Sequence, residues 1–380
     1  MSRQGVADPV RALADYRRGD FLFATQQRTL FARGVEREVP FAGDSALVAE
    51  LEDAATPLAV GVLPFDLSDG PAPRLVVPRE LRVAGRAHEL VRALPAREVG
   101  VPERPLAVPE QDKHVDAVAR ALVPLRDGVL RKVVLARVLD IAFAADVDPA
   151  NVLHNLVADN PDGFTYAAAL PGDRTLVGAS PELLVRRYGT RVVAHPHAGT
   201  APRSTDPDVD EANARGLLAS AKDKTEHALV VEAVVEALRP FCRTLDVPSA
   251  PSLAPTPAVW HLGTEITGEL ADPDVSALAL ATALHPTPAV CGTPTDAARK
   301  LVGDLEPFDR DYYAGTVGWV DAAGDGEWAV AIRCAEIADR SMRLYAGGGI
   351  VAASDPEAEL RETSAKFATL LQAMGVDIDP

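Results

Sequence analysis

Near one end of the chain, the segment "AELRETSAKF" (358–367) sets Glu359, Glu362 and Lys366 at i, i+3 and i+7. On a helix of 3.6 residues per turn these three side chains share one face. Two carboxylates and an ammonium on one stripe read in two ways. They can be a solvated face held by an i,i+4 Glu362–Lys366 pair, or one wall of an ion-binding site. A second acidic pair, Asp223 and Glu226 in "KDKTEHALVVEA", stands at i, i+3 ahead of an apolar run. Two helices that each present paired carboxylates could converge on a hard divalent cation such as Mg²⁺. That ion prefers oxygen ligands and keeps several waters that substrate oxygens can replace. Spacing alone does not decide; the helices must face each other.

Other residues invite acid–base and anion chemistry. Lys132 lies in the aliphatic run "RKVVLARVLDIAF", where alternation puts it on one face with Val134 and Ala136. Exposed at a strand end it would be inert, whereas burial would disfavour its charged form and bring it toward general-base range. Glu182 in "GASPELLVRR" opens an apolar strand. Solvated there it is ordinary; desolvated, it would hold its proton and could act as a general acid. "HPHAGTAPRS" (195–204) and "AGGGIVAAS" (346–354) are glycine-marked turns whose N–H groups could receive a carboxylate. Arg333 in "AIRCAE" sits within an apolar strand, which is costly unless its planar fork meets an anion.

These residues must be positioned by elements that alternate between strand and helix signals. Strand character marks 131–143 and 165–196, with Gly-containing turns in the latter, and 326–354 reads as a hairpin closing on "ADRS". Helical spacing marks 148–161 and a long region over 210–241. The Pro-rich stretches 67–80, 94–111 and 247–260 read as connecting structure. Hairpins with helices grouped between them predict an α+β fold with antiparallel sheets rather than a parallel βαβ array.

The whole chain sets further bounds. Its 380 residues suffice for a large core. With Lys and Arg at 38 against Asp and Glu at 55, the net charge of −17 argues against nucleic acid or an anionic membrane as partner. Any attraction for an anionic substrate must then be local. Three scattered cysteines, Cys242, Cys291 and Cys334, suggest neither a disulfide framework nor a zinc site. The first twenty residues lack the apolar segment of a signal peptide, and no run approaches a membrane span. The cytoplasm is the expected compartment, and the lack of a coiled-coil repeat leans toward a monomer.

The segments "RKVVLAR", "GASPELL", "AGTAPR", "KDKTEH", "WHLGTEI", "LHPTPAVCGTP", "EPFDRDYYAGTVGW", "GEWAVAIRCAE", "AGGGIV" and "ELRETSAKF" follow one another as in the chorismate-utilising enzymes. Within these the chain most resembles isochorismate synthases of the siderophore (2,3-dihydroxybenzoate) type. The resemblance covers roughly residues 110–375, with 1–110 similar only to the family's variable N-terminal part. It implies one large α+β domain of the anthranilate synthase component I type: 111–380 forms the chorismate-binding region, 1–110 belongs to the same domain, and antiparallel sheets flanked by helices enclose a central cleft. It further implies Lys132 as the base that activates water and Glu182 as the acid that protonates the departing hydroxyl. Glu226 and Glu362 would hold Mg²⁺, with Asp223 and Glu359 as outer carboxylates. Arg333 and Lys366 would hold substrate carboxylate, with Gly199, Thr200 and Gly347 lining the same site and His261 and Tyr313 facing substrate.

Members of this family differ in nucleophile and in whether pyruvate is lost. Ammonia-using members lack the lysine found here at Lys132, and aminodeoxychorismate synthases carry a lysine nucleophile where this chain has Ala198. Interconversion of chorismate and isochorismate is the expected activity. Salicylate synthase, which shares the counterparts of Lys132 and Glu182, is the alternative. A non-catalytic chorismate binder would be expected to lose one of these groups, and none is lost. Two departures stand out: His197 replaces a common leucine, and "AGGGIV" replaces the commoner "AGAGIV".

Overall fold

From Lys132 to Leu139 every residue of the strand Lys132–Ala142 is buried, polar and apolar alike. A strand buried on both faces lies between layers rather than at a surface. In the computed structural model, which describes residues 6–378 except 44, 45, 48, 49, 52, 53, 55 and 104, this strand pairs antiparallel with Ser341–Ile350, in a register that sets Gly347 opposite Ala136 and Gly349 opposite Val134. Its other edge is covered by Leu106–Val108 and by Gly292–Thr293. Among the described residues, eighteen strands join one hydrogen-bonded network and three more form a small separate sheet. The pairings are antiparallel apart from Val6–Ala7 on the strand Arg74–Ala84. The architecture is thus α+β, as expected.

The sheet network draws in the N-terminal residues. Phe21–Ala24 pairs with Phe164–Leu170, and Leu58–Leu63 pairs with Thr316–Asp321. One apolar core packs around Trp319, Trp328 and Tyr312, and a second around Phe367, Leu371, Met374 and Leu153. The helix Pro356–Met374 supplies Phe367, Leu371 and Met374 from one side while its other residues face the site. Each fully buried Leu or Phe of that stripe contributes about 1.5–3 kcal/mol. The helix is fixed at both ends: the Asp355 side chain accepts from Ala358 N–H, Pro356 occupies its first turn, and Gly375 closes it at φ 79°.

Several expectations need correction: the glycine-marked segments 195–204 and 346–354 lie largely within the strands His197–Pro202 and Ser341–Ile350 rather than in turns, and 94–111 includes the strand Leu106–Val108. The helical region over 210–241 is two helices, Pro207–Ala219 and Ala221–Leu238, because Ser220 leaves helical geometry and its hydroxyl accepts from Asp223 N–H. The stretch 67–80 is not all connection: Arg74–Ala84 is a strand, and its Pro78 is tolerated beside a register shift between Val35 and Arg37 on the partner strand. Residues 247–260 likewise contain strand. Ser252–Pro255 and the start of Val259–Gly263 join His197–Pro202 in the small sheet, with prolines only at strand ends. The expected hairpin closes at Asp339–Arg340 between Cys334–Ala338 and Ser341–Ile350, while Gly326–Val330 is set apart by a break at 331–333.

Candidate active site

The paired strands Lys132–Ala142 and Ser341–Ile350, the small sheet and the helices Ala221–Leu238 and Pro356–Met374 meet around a cavity of about 100 Å³. Its wall holds Lys132, Glu182, Gly199, Thr200, Asp223, Glu226, His261, Tyr313, Arg333, Gly347, Glu362 and Lys366. Of the site residues proposed from sequence only Glu359 stands behind that wall; its Oε1 lies 3.2 Å from the Nζ of Lys222, which does line it. Residues from nine separate stretches of chain are therefore neighbours, and the two acidic helices do face each other.

Lys132 and Glu182 occupy the same cavity and are 1% and 3% exposed. The Lys132 ammonium sits 3.0 Å from Glu226 Oε1, an ion pair that the sequence reading did not assign. Glu182 follows Pro181 where the strand Arg174–Ser180 hands over to Leu183–Tyr188, and its backbone N–H donates to the Ser180 hydroxyl. Burial pushes its carboxyl up to about 8, against the opposing pull of the Lys132 charge and the His197 backbone N–H. At neutral pH Glu182 is therefore a carboxylic acid with a proton to give.

The cationic side is equally defined. Lys366 donates to Glu362 Oε1 at 2.7 Å and to the Gly347 carbonyl at 2.8 Å. Burial raises the Glu362 carboxyl, but Lys366, with help from Lys222 and Arg333, outweighs it and holds the group low. Arg333 stands in the break between strands with φ at 51°, in the left-handed region that a side-chain-bearing residue rarely adopts. Its guanidinium makes no hydrogen bond or ion pair with the described residues, and burial pushes its pKa down. An unpaired guanidinium held in strained backbone inside a cavity is arranged for an incoming anion. His261 shares its Nδ1 with the Gly199 carbonyl and the Thr200 hydroxyl at 3.1 and 3.2 Å, and burial lowers it to about 3, so the ring is neutral. Tyr313 stacks on Tyr345 with centroids 4.7 Å apart.

The glycine run explains how the carboxylates approach. A Cβ at Gly349 would collide with Glu226 Oε1, one at Gly348 would press on Glu359 Oε2 at 3.3 Å, and one at Gly347 would meet the Tyr313 hydroxyl at 2.8 Å. Glu359 is buried, and burial together with the charge of Glu362 raises its pKa; its Oε2 is left without a hydrogen-bond partner. Among the described residues no three acidic, His or Cys side chains lie close enough to cage an ion alone. The donor set still suits a hard dication. Glu226 and Glu362 are oxygen donors from facing helices, a partnerless carboxylate oxygen stands behind them, and water or substrate oxygens would complete the shell.

Two features were missed from sequence. Lys222 was quoted within "KDKTEH" without a role, yet it pairs with Glu359. Beneath the cavity, Glu306 accepts from Ala136 N–H at 2.7 Å and pairs with Arg310, which also donates to the Val134 and Val290 carbonyls at 2.8 and 2.7 Å. This network braces the Lys132 strand. Its only signal in the sequence is the i,i+4 spacing of "EPFDR".

The chain matches the model of a family described as chorismate binding enzyme over residues 90–375. It is 48% identical over 384 residues to isochorismate synthase DhbC of Bacillus subtilis, with 96% of each chain covered. Its structure superposes on the crystal structure of DhbC from Bacillus anthracis with a TM-score of 0.90 at 43% identity, covering 97% of this chain and all of that one. Anthranilate synthase component I of Streptococcus pneumoniae shares the fold alone, with a TM-score of 0.73 at 21% identity over 97% of this chain and 99% of that one. No described helix is long and apolar enough to cross a membrane.

Proposed function

We infer the reaction from lineage and pocket together: the chain belongs to the family of chorismate binding enzymes, and it is an isochorismate synthase. Chorismate carries two carboxylates and a ring hydroxyl. Water adds at C2 of the ring, the double bonds shift, and the C4 hydroxyl leaves as water. Lys132, acting as the free amine, takes a proton from the attacking water as the new C–O bond forms. Glu182 gives its proton to the departing oxygen as the old C–O bond breaks. Each such transfer supplies roughly 10²–10⁴-fold in rate. Arg333 and Lys366 hold substrate carboxylate, aided by Gly199 and Thr200 of the strand His197–Pro202, by Gly347, and by the hydroxyl and imidazole of Tyr313 and His261. A magnesium ion bound by Glu226 and Glu362, supported by Asp223 and Glu359, would neutralise the ring carboxylate as a Lewis acid.

The observation that carries this reading is the pairing, in one buried cavity, of the Lys132 side chain with a carboxyl at Glu182 that keeps its proton at neutral pH. We read residues up to about 110 as part of the same domain; N-terminal strands that hydrogen-bond into the common network support that reading. Three unpaired thiols accord with a cytoplasmic enzyme. Purified protein incubated with chorismate and Mg²⁺ should yield isochorismate alone. Salicylate with pyruvate would instead mark a salicylate synthase, and no turnover would refute the reaction.

A further inference from the structure

Behind Glu182 lies a second cavity of about 810 Å³, bounded by Asn160 and the proline-rich edge Leu253–Pro257, and roomy enough for many waters. It shares two wall residues with the catalytic cavity, Pro181 and His197. His197 is 9% exposed, yet neither ring nitrogen has a hydrogen-bond partner. Its ring meets that of His195 edge-on with centroids 4.4 Å apart, and His195 faces the outer cavity. Gly263 makes this contact possible: a Cβ there would stand 2.8 Å from His195 Nε2 and 3.0 Å from His197 Nε2, so the two nitrogens converge over one bare Cα. Buried polar groups without partners call for a reason.

The reason follows from the proton balance. Each turnover in the proposed reaction leaves Glu182 as a carboxylate, 3% exposed and enclosed. Before the next turnover it needs a proton from outside. Resting on that reaction, we propose that His195 and His197 return this proton to Glu182 from the outer cavity. A hydronium there protonates one nitrogen of His195, which releases the proton on its other nitrogen to His197. His197 repeats the exchange toward the Glu182 carboxylate in the pocket they share. Only N–H and O–H bonds change, a water is left in the outer cavity, and the proton collected during water attack leaves to solvent, so the cycle is neutral overall. Burial lowers both imidazoles, so at neutral pH each presents one N–H and one bare nitrogen. The siderophore-type enzymes commonly carry leucine at this position, so the path accelerates recovery and is not a requirement for chemistry.

The test uses the magnesium-loaded enzyme and initial rates from chorismate. Recovery of Glu182 follows product release, so His197→Leu should lower kcat by about tenfold, less than a group acting in the bond-breaking step, and leave kcat/KM unchanged. Added imidazole, which the outer cavity admits, should restore kcat. His195→Gln should show the same signature and serves if His197→Leu fails to fold. Unchanged kcat in both variants, or kcat and kcat/KM falling together without imidazole rescue, would overturn the relay. Wild-type enzyme that does not turn over chorismate would overturn the underlying reaction instead.

Discussion

At the scale of single residues the proposed reaction needs two buried side chains in one pocket, Lys132 and Glu182, to take up and give a proton respectively. Lys132→Ala removes the acceptor for the water proton, so kcat should fall roughly 10²–10⁴-fold while calorimetry still registers metal-dependent ligand binding. Glu182→Gln should cost a similar factor on the leaving side. The pH profile follows from the acid form of Glu182. Its value is about 8, raised chiefly by burial, so kcat in the forward direction should fall as pH rises through about 8. The residual rate of Glu182→Gln should lack that limb. The same group bears on stability, since its folded value lies above the ordinary 4.5. Its favourable contribution is full below about pH 4.5 and is gone once the pH has passed about 8, so between those values the wild-type fold should weaken with rising pH more than the Gln variant does.

At the scale of elements the site depends on what glycines and caps permit. Gly349→Ala would drive a methyl into Glu226 Oε1 and the Cε of Lys132 at 3.0 Å. Because that contact is inside the pocket, the variant should fold with a loss of about 1–3 kcal/mol in denaturant titration and with its activity lost. Ser220→Ala removes the cap that starts the helix carrying Asp223 and Glu226, and should cost about 1 kcal/mol with a raised magnesium requirement. These elements were unequally legible in sequence. A continuous β-branched and aliphatic run exposed the strand of Lys132, and the i, i+3 carboxylates exposed both acidic helices, because composition and charge spacing are local properties. The break at Ser220 was hidden within an unbroken apolar period. The strands of Arg74–Ala84 and Ser252–Pro255 were hidden by prolines, whose tolerance depends on a neighbouring bulge or a strand end. The ion pairs Lys132–Glu226 and Lys222–Glu359 join distant stretches, so no reading of spacing could reveal them; the family resemblance brought the catalytic roles, and the fold brought their geometry.

At the scale of the whole molecule a net charge of −17 surrounds a pocket that must draw in a dianion. The long-range field therefore opposes substrate approach, while Arg333 and Lys366 attract only at close quarters. Raising ionic strength from about 0.01 to about 0.15 M shortens the Debye length from about 30 to about 8 Å. At saturating magnesium, kcat/KM should consequently hold or rise over that range; a steep fall would mean that long-range attraction, not local cations, guides binding. The central claim concerns the origin of one oxygen atom. With chorismate and magnesium in H₂¹⁸O, early isochorismate should carry one ¹⁸O in its ring hydroxyl, with no pyruvate released. Unlabelled isochorismate would contradict the account, because the hydroxyl would then have migrated within the substrate and left Lys132 no water to activate.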